Sequence, residues 1–142
     1  MRHLGFTGTR FGMKPPQLDA VRVLIASLGE VTGHYGDCVG ADAEFHAILR
    51  ALGHRVIGHP PVDDEHRASC AFDELVGPLT HMKRNKAIVT ASDIVIGAPF
   101  EMTEQERGGT WKTIQMARKV KKPLVIAFPD GTLARTNWPN AS

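Results

Sequence analysis

Apolar and polar positions along the chain form two kinds of run. Short stretches that are apolar throughout, such as Ile94-Val95-Ile96 and Leu124-Val125-Ile126, are separated by longer ones in which apolar residues return every three or four positions. The first kind is how a strand buried on both faces reads. The second is how a helix with one face in a core reads. Strands are predicted at 3–6, 30–36, 54–60, 93–99 and 123–128.

Helical spacing fills the gaps between them. Leu18, Val21, Leu24, Ile25 and Leu28 share one face behind Pro15 and Pro16, which the first turn of a helix tolerates, and Gly29 closes the run. Ala41, Phe45, Ile48, Leu49 and Leu52 repeat in the same way, with Gly53 at the end. Residues 79–92 carry Met82, Ile88 and Val89 as partial markers, and residues 109–120 turn Trp111, Ile114 and Ala117 inward. Periodicity is weak over 61–78, which predicts a loop with one short helix. Residues 131–142 read as a short C-terminal tail behind a single domain spanning 1–130.

Alternating strands and helices predict an α/β fold: a three-layer, Rossmann-like, open and mainly parallel sheet of about five strands with helices on both faces. Such sheets bind ligands beyond the carboxyl ends of their strands, at the point where strand order reverses.

Composition changes this picture little. The length of 142 residues suits one core, and 42% hydrophobic with 23% charged residues is ordinary for a globular chain. A formal net charge of +2 permits an anionic small ligand without arguing for nucleic acid. Cys38 and Cys70 form no metal pattern. No apolar run follows Met1 and none reaches membrane-spanning length, so a reduced, cytoplasmic protein without membrane association is expected.

The candidate chemistry lies just after the strands. The first is followed by Gly8, Thr9 and Arg10; the second by Gly36, Asp37, Gly40, Ala41 and Asp42; the fourth by Pro99, Glu101, Arg107, Gly108, Gly109 and Thr110. Two of these glycine-bearing loops lead straight into helix N-termini, where free N–H groups and the helix dipole favour an anion. Arg10 and Arg107 can add forked contacts to phosphate, and Thr9 and Thr110 can add hydroxyls. The spacing matches neither the dinucleotide fingerprint nor the Walker A loop. His59, Asp63, Asp64 and His66 have the right types for a metal but no known ligand spacing, so no metal site and no resident cofactor are assigned. Trp111, behind the glycine pair, is placed either on a ligand ring or in the core.

Four stretches, "GFTGTR", "GDCVGADAEFHAILRALGHRVIG", "KRNKAIVTASDIVIGAP" and "RGGTWKTIQMARKVKKPLVIAFP", together resemble the SMF/DprA–LOG (SLOG) superfamily, and within it the small YpsA-like and DprA-like proteins. The likeness spans most of 3–129. It implies a Rossmann-like domain that binds nucleotides or nucleotide-derived ligands. On the motifs, Gly8 and Arg10 match the element after the first strand, and Gly40, Ala41 and Asp42 match the one that opens the second helix. His46 matches a histidine one turn later, Arg84 and Asn85 match the Arg-Asn pair, and Gly108, Gly109 and Thr110 match the phosphate loop.

The resemblance implies three functions. The first is binding of a small nucleotide. The second is the LOG activity, release of a free base from a nucleoside monophosphate, with Asp42 or Glu101 as the catalytic carboxylate. Against that activity, the LOG loop resembles P-G-G-x-G-T-x-x-E, whereas here one glycine is missing and Thr113 stands where the glutamate would be. The third is DprA-type binding of single-stranded DNA, which the small net charge and the 6% aromatic content disfavour. Self-association, most simply as a dimer, is also implied.

Overall fold

In the computed structural model, residues 2–63 and 65–138 are described. Seven strands and four helices follow one another: β1 (Arg2–Gly8), α1 (Pro15–Ser27), β2 (Val31–Tyr35), α2 (Ala41–Ala51), β3 (Arg55–Gly58), β4 (Glu74–Leu75), α3 (His81–Ala91), β5 (Ile94–Ala98), α4 (Gly109–Lys119), β6 (Leu124–Ala127) and β7 (Leu133–Thr136). They form one sheet in the order β4-β3-β2-β1-β5-β6-β7. All neighbours are parallel except β6 and β7.

The expected open parallel α/β sheet is therefore present, with two more strands than the pattern predicted. In place of the short helix expected within 61–78, the described residues hold β4 and two isolated bridges, Cys38 to Arg67 and Pro61 to Leu79. A two-residue, exposed strand carries no period for a pattern to reveal. Within the stretch read as a tail, β7 pairs antiparallel with β6. Residues 139–142 of that stretch lie outside the described residues.

The two faces of the sheet are filled differently. On the α1 and α2 side, Leu4, Phe6, Val31, Tyr35, Ile94, Ile96 and Val125 pack with Val21, Ile25, Phe45 and Leu49 in the larger core. On the other side, Val95, Leu124 and Ile126 pack with Val89, Trp111 and Ile114 in a smaller one. That second layer is apolar beneath α4. Toward α3, β1 to β3 present imidazoles instead. His3 Nδ1 meets His34 Nε2 at 2.8 Å, and His34 Nδ1 meets the Nε2 of His59 at 2.9 Å. Burial lowers the pKa of both His34 and His59 to about 4, so both are neutral at pH 7.

The ends of β5 and β6 are tied to α1 by one side chain. Gln17 is buried, and its amide donates to the carbonyls of Pro99 (2.8 Å) and Ala127 (2.7 Å). This satisfies two acceptors at the rim where the sheet ends.

Candidate functional site

Strand order reverses between β1 and β5. From β1 the chain builds outward through β2, β3 and β4 on one side, and through β5 and β6 on the other. The turns that leave β1 and β5 therefore diverge and open a crevice, as the topology dictates. A cavity of about 430 Å³ occupies it. That lies within the range of roughly 300–1,000 Å³ typical for small-ligand sites.

Most of the expected residues converge here. Gly8, Thr9 and Arg10 come from the turn after β1, Gly36 from the end of β2, and Asp42 from the first turn of α2. Arg84 and Asn85 come from α3, and Glu101 with Arg107, Gly108, Gly109 and Thr110 from the β5–α4 segment. Gly40, Ala41 and Pro99 are not in the lining. Ala41 donates its N–H to the Thr9 carbonyl at 2.9 Å, which fixes α2 to the β1 turn. Gly40 has φ 88°, and a Cβ there would collide with the backbone of Arg10, so only glycine lets the two turns close on each other. Pro99 gives its carbonyl to Gln17.

Three features favour an anion. First, α4 starts at Gly109 behind Gly108, whose φ of 99° suits glycine, and no side chain caps it. The N–H groups of Gly109, Thr110 and Trp111 have no partner within the helix by construction. Second, Arg84 is only 8% exposed, and no salt bridge holds it among the described residues. Its guanidinium donates to the carbonyls of Gly36 (2.9 Å) and His59 (3.2 Å) and to Asn85 Oδ1 (2.7 Å), so a positive charge is locked beside the cavity. That last bond also orients the Asn85 amide, leaving Nδ2 about 3.9 Å from where a Cβ on Gly109 would stand. Third, Arg10 and Arg107 reach the cavity from the rim. Arg10 Nη1 meets His66 Nε2 at 2.9 Å.

Two carboxyls share the space. Asp42 is 5% exposed and accepts the Cys38 N–H at 3.0 Å. Burial pushes its pKa up to about 6, against the opposing pull of that bond and of the Arg84 charge. Glu101 Oε1 accepts the indole N–H of Trp111 at 2.9 Å. Thr113 is fully buried and donates its hydroxyl to the Gly109 carbonyl at 2.7 Å, so it offers the cavity neither carboxylate nor hydroxyl. His46 turns away from Asp42 to bond the Tyr35 hydroxyl and pack against Phe72.

Other lining residues were not expected at this cavity from the sequence: Phe11, Cys38, His81 and Phe100 among them, and His66, which was weighed only for a metal. Phe11 and Phe100 each directly follow a residue that was, which is the only local signal they carry. His66 arrives by a different route. Fully buried Asp37, at φ 58°, accepts bonds from Arg67 Nε (2.8 Å) and from the N–H groups of Ser69 (3.1 Å) and Cys70 (2.9 Å). That carboxylate straps residues 67–70 to the end of β2 and sets His66 over the cavity. Of the four residues weighed for a metal, His59 faces His34 and His66 faces Arg10, while Asp64 lies outside the described residues. Among the described residues, no group of three or more His, Cys, Asp or Glu side chains could hold a metal ion. Nor is any helix among them long and apolar enough to cross a membrane. Trp111 borders the cavity, but it is 2% exposed and its ring packs in the smaller core.

An open, mainly parallel α/β domain with an anion-favouring cavity at its switch point is the class that fold and site define. Among solved structures, the molybdenum cofactor binding protein from the phototrophic bacterium Rippkaea orientalis matches with a TM-score of 0.69 and 24% identity, over 89% of this chain and 76% of that one. The molybdenum cofactor carrier protein from Chlamydomonas reinhardtii matches with a TM-score of 0.64 and 23% identity, over 89% and 76%. DNA processing protein A from Helicobacter pylori, studied for its binding of single-stranded DNA, matches with a TM-score of 0.60 and 17% identity, over 88% and 64%. The last is a DprA, so the resemblance read from the motifs holds at the level of the fold. No family model and no curated protein matches the sequence.

Proposed function

We propose that this protein binds a small phosphate-bearing ligand, a nucleotide or a nucleotide-derived cofactor, in the cavity between the β1 and β5 turns. One observation carries the reading: a buried arginine without a salt-bridge partner and an uncapped helix N-terminus face the same cavity. A negative guest answers both, because N–H groups and guanidinium gain far more from charged acceptors when water is excluded. The fold neighbours support it in kind, since molybdenum cofactor and DNA both carry phosphate. The phosphate sits on Gly108, Gly109 and Thr110, with Arg107 and Arg10 closing from the rim.

Thermal denaturation with a panel of AMP, GMP, CMP, UMP and pyrophosphate at millimolar concentration tests this. A ligand at one hundred times its Kd adds about 2.7 kcal/mol of stability, so at least one member is expected to raise the midpoint by several degrees. Replacing the exposed Arg107 with Ala is expected to weaken that member about tenfold without altering the unliganded midpoint. No shift with any member of the panel would sink the proposal.

A second reading, cleavage of the N-glycosidic bond of such a nucleotide, is favoured by the raised pKa of Asp42, which keeps part of it protonated near neutral pH, as a general acid requires. Free base released by the wild type and lost in Asp42→Asn and in Glu101→Gln is the expected result. Unchanged release in both variants removes these carboxyls from the mechanism.

A further inference from the structure

Two large aromatic side chains stand in water at the mouth of this cavity. Phe11 is 70% exposed and Phe100 48%. Other large apolar side chains are exposed in the described chain, but of these only Phe11 and Phe100 line the cavity. They come from the turns after β1 and β5, the two strands that flank the reversal of order. Their rings touch edge to face, with centroids 5.5 Å apart and planes at 65°. The Arg10 guanidinium lies 5.1 Å from the Phe11 centroid, and the Lys14 ammonium lies 5.6 Å from that of Phe100.

These contacts define what the pair offers. Two cations and one edge commit at most three of the four ring faces, and both side chains are exposed. The cations and the mutual contact also hold the rings in place, so a guest meets a preformed surface. Neither ring is needed to fill the core, since neither belongs to it. We infer that Phe11 and Phe100 form a stacking subsite for a planar heteroaromatic ring whose phosphate lies on the Gly108–Thr110 turn.

The inference rests on the phosphate-binding reading above and adds where the other half of the ligand docks, which sets a ringed phosphate apart from a sugar phosphate or a free inorganic anion. Purine nucleotides and pterin phosphates both satisfy it. The surface is small, two rings at the mouth of one crevice, which suits one ring system rather than a run of stacked bases along a strand.

Calorimetric titration of the whole protein with six probes separates the outcomes: GMP, a reduced pterin monophosphate, guanosine, ribose 5-phosphate, pyrophosphate and oligo-dT of increasing length. GMP or the pterin phosphate is expected to bind at least tenfold more tightly than ribose 5-phosphate, and the tighter of the two identifies the ring. Phe11→Ala and Phe100→Ala are each expected to lose roughly tenfold for that ligand and nothing for ribose 5-phosphate or pyrophosphate. Phe11→Trp is expected to retain the affinity. Because both rings are exposed, all three variants should unfold at the wild-type midpoint. Equal wild-type affinity for ribose 5-phosphate and the ringed phosphates overturns the subsite, as does full affinity in both alanine variants. If every phosphate probe fails while guanosine binds through Phe11, the phosphate reading falls and the ring subsite stands; if nothing binds, both fall. Affinity for oligo-dT that rises with length beyond GMP overturns the single-ring form in favour of a strand.

Discussion

Asp42 and Arg84 set opposite conditions at the cavity floor. Arg84 attracts a negative guest, while an ionised Asp42 repels it. Burial decides the balance by lifting the Asp42 pKa to about 6. In stability terms, a carboxyl whose pKa is raised on folding contributes most below its unfolded value near 4, and that contribution is lost as pH rises through about 6. The consequence for binding has the same sign. Sulfate, which does not titrate in this range, is expected to bind more tightly as pH falls through 6. His66 and His81 also line the cavity, so the comparison with Asp42→Asn isolates the carboxyl. In that variant sulfate binds more tightly at pH 7.5, and the part of the pH dependence centred near 6 disappears. An unchanged titration would show that Asp42 does not govern the guest's charge. Asp42 was legible from the residue types that follow a strand, whereas Arg84 and Asn85 were legible only through the resemblance to the SLOG motifs. The roles of Gly40 and Ala41 were not, because a glycine that admits a neighbouring backbone looks the same in sequence as one that admits a phosphate.

Among the elements, β5 and β6 announced themselves through unbroken apolar runs, because both of their faces are buried. β2 carries a different message. Thr32 and His34 alternate with Val31, Gly33 and Tyr35, and this alternation is the trace of a sheet whose α3 face is built from imidazoles. The sequence reading recognised the strand without explaining its polar half, since the partners of His34 lie on other strands. Neutral rings in the row His3–His34–His59 meet through one N–H and one lone pair, and burial penalises a charge on either His34 or His59. Their pKa values are depressed on folding, so the stability they contribute is complete above about 6.5 and is lost as pH falls toward 4. Acid destabilisation in that window is expected from chemical denaturation at stepped pH, and the double variant His34→Gln/His59→Gln should show a shallower slope there. A slope equal to that of the wild type would remove the histidine row from the account.

For the whole molecule, topology placed the site and the sequence showed the topology. Alternating strand and helix periods implied the parallel sheet, and the sheet implied a crevice at its reversal point. What escaped was the wall that does not belong to the sheet. Residues 65–73 have no period; the fully buried carboxylate of Asp37, some thirty residues away along the chain, holds 67–70, while the Val39 N–H bonds the His66 carbonyl (2.8 Å) and the Asp73 N–H bonds the Val56 carbonyl (3.0 Å). Asp37→Ala is expected to accelerate amide hydrogen exchange at Ser69 and Cys70 far more than at Val95 and Ile96, because local opening precedes global unfolding. Equal acceleration at both places would mean that the segment opens only with the sheet. The β1, β2 and β5 turns with α2, α3 and α4 supply nearly all of the cavity lining, and among the described residues this tethered segment adds His66 alone. A chain that keeps the Asp37 anchor can carry a new side chain to the place His66 now holds, so the choice of guest can be rewritten at that one position while the sheet stays as it is.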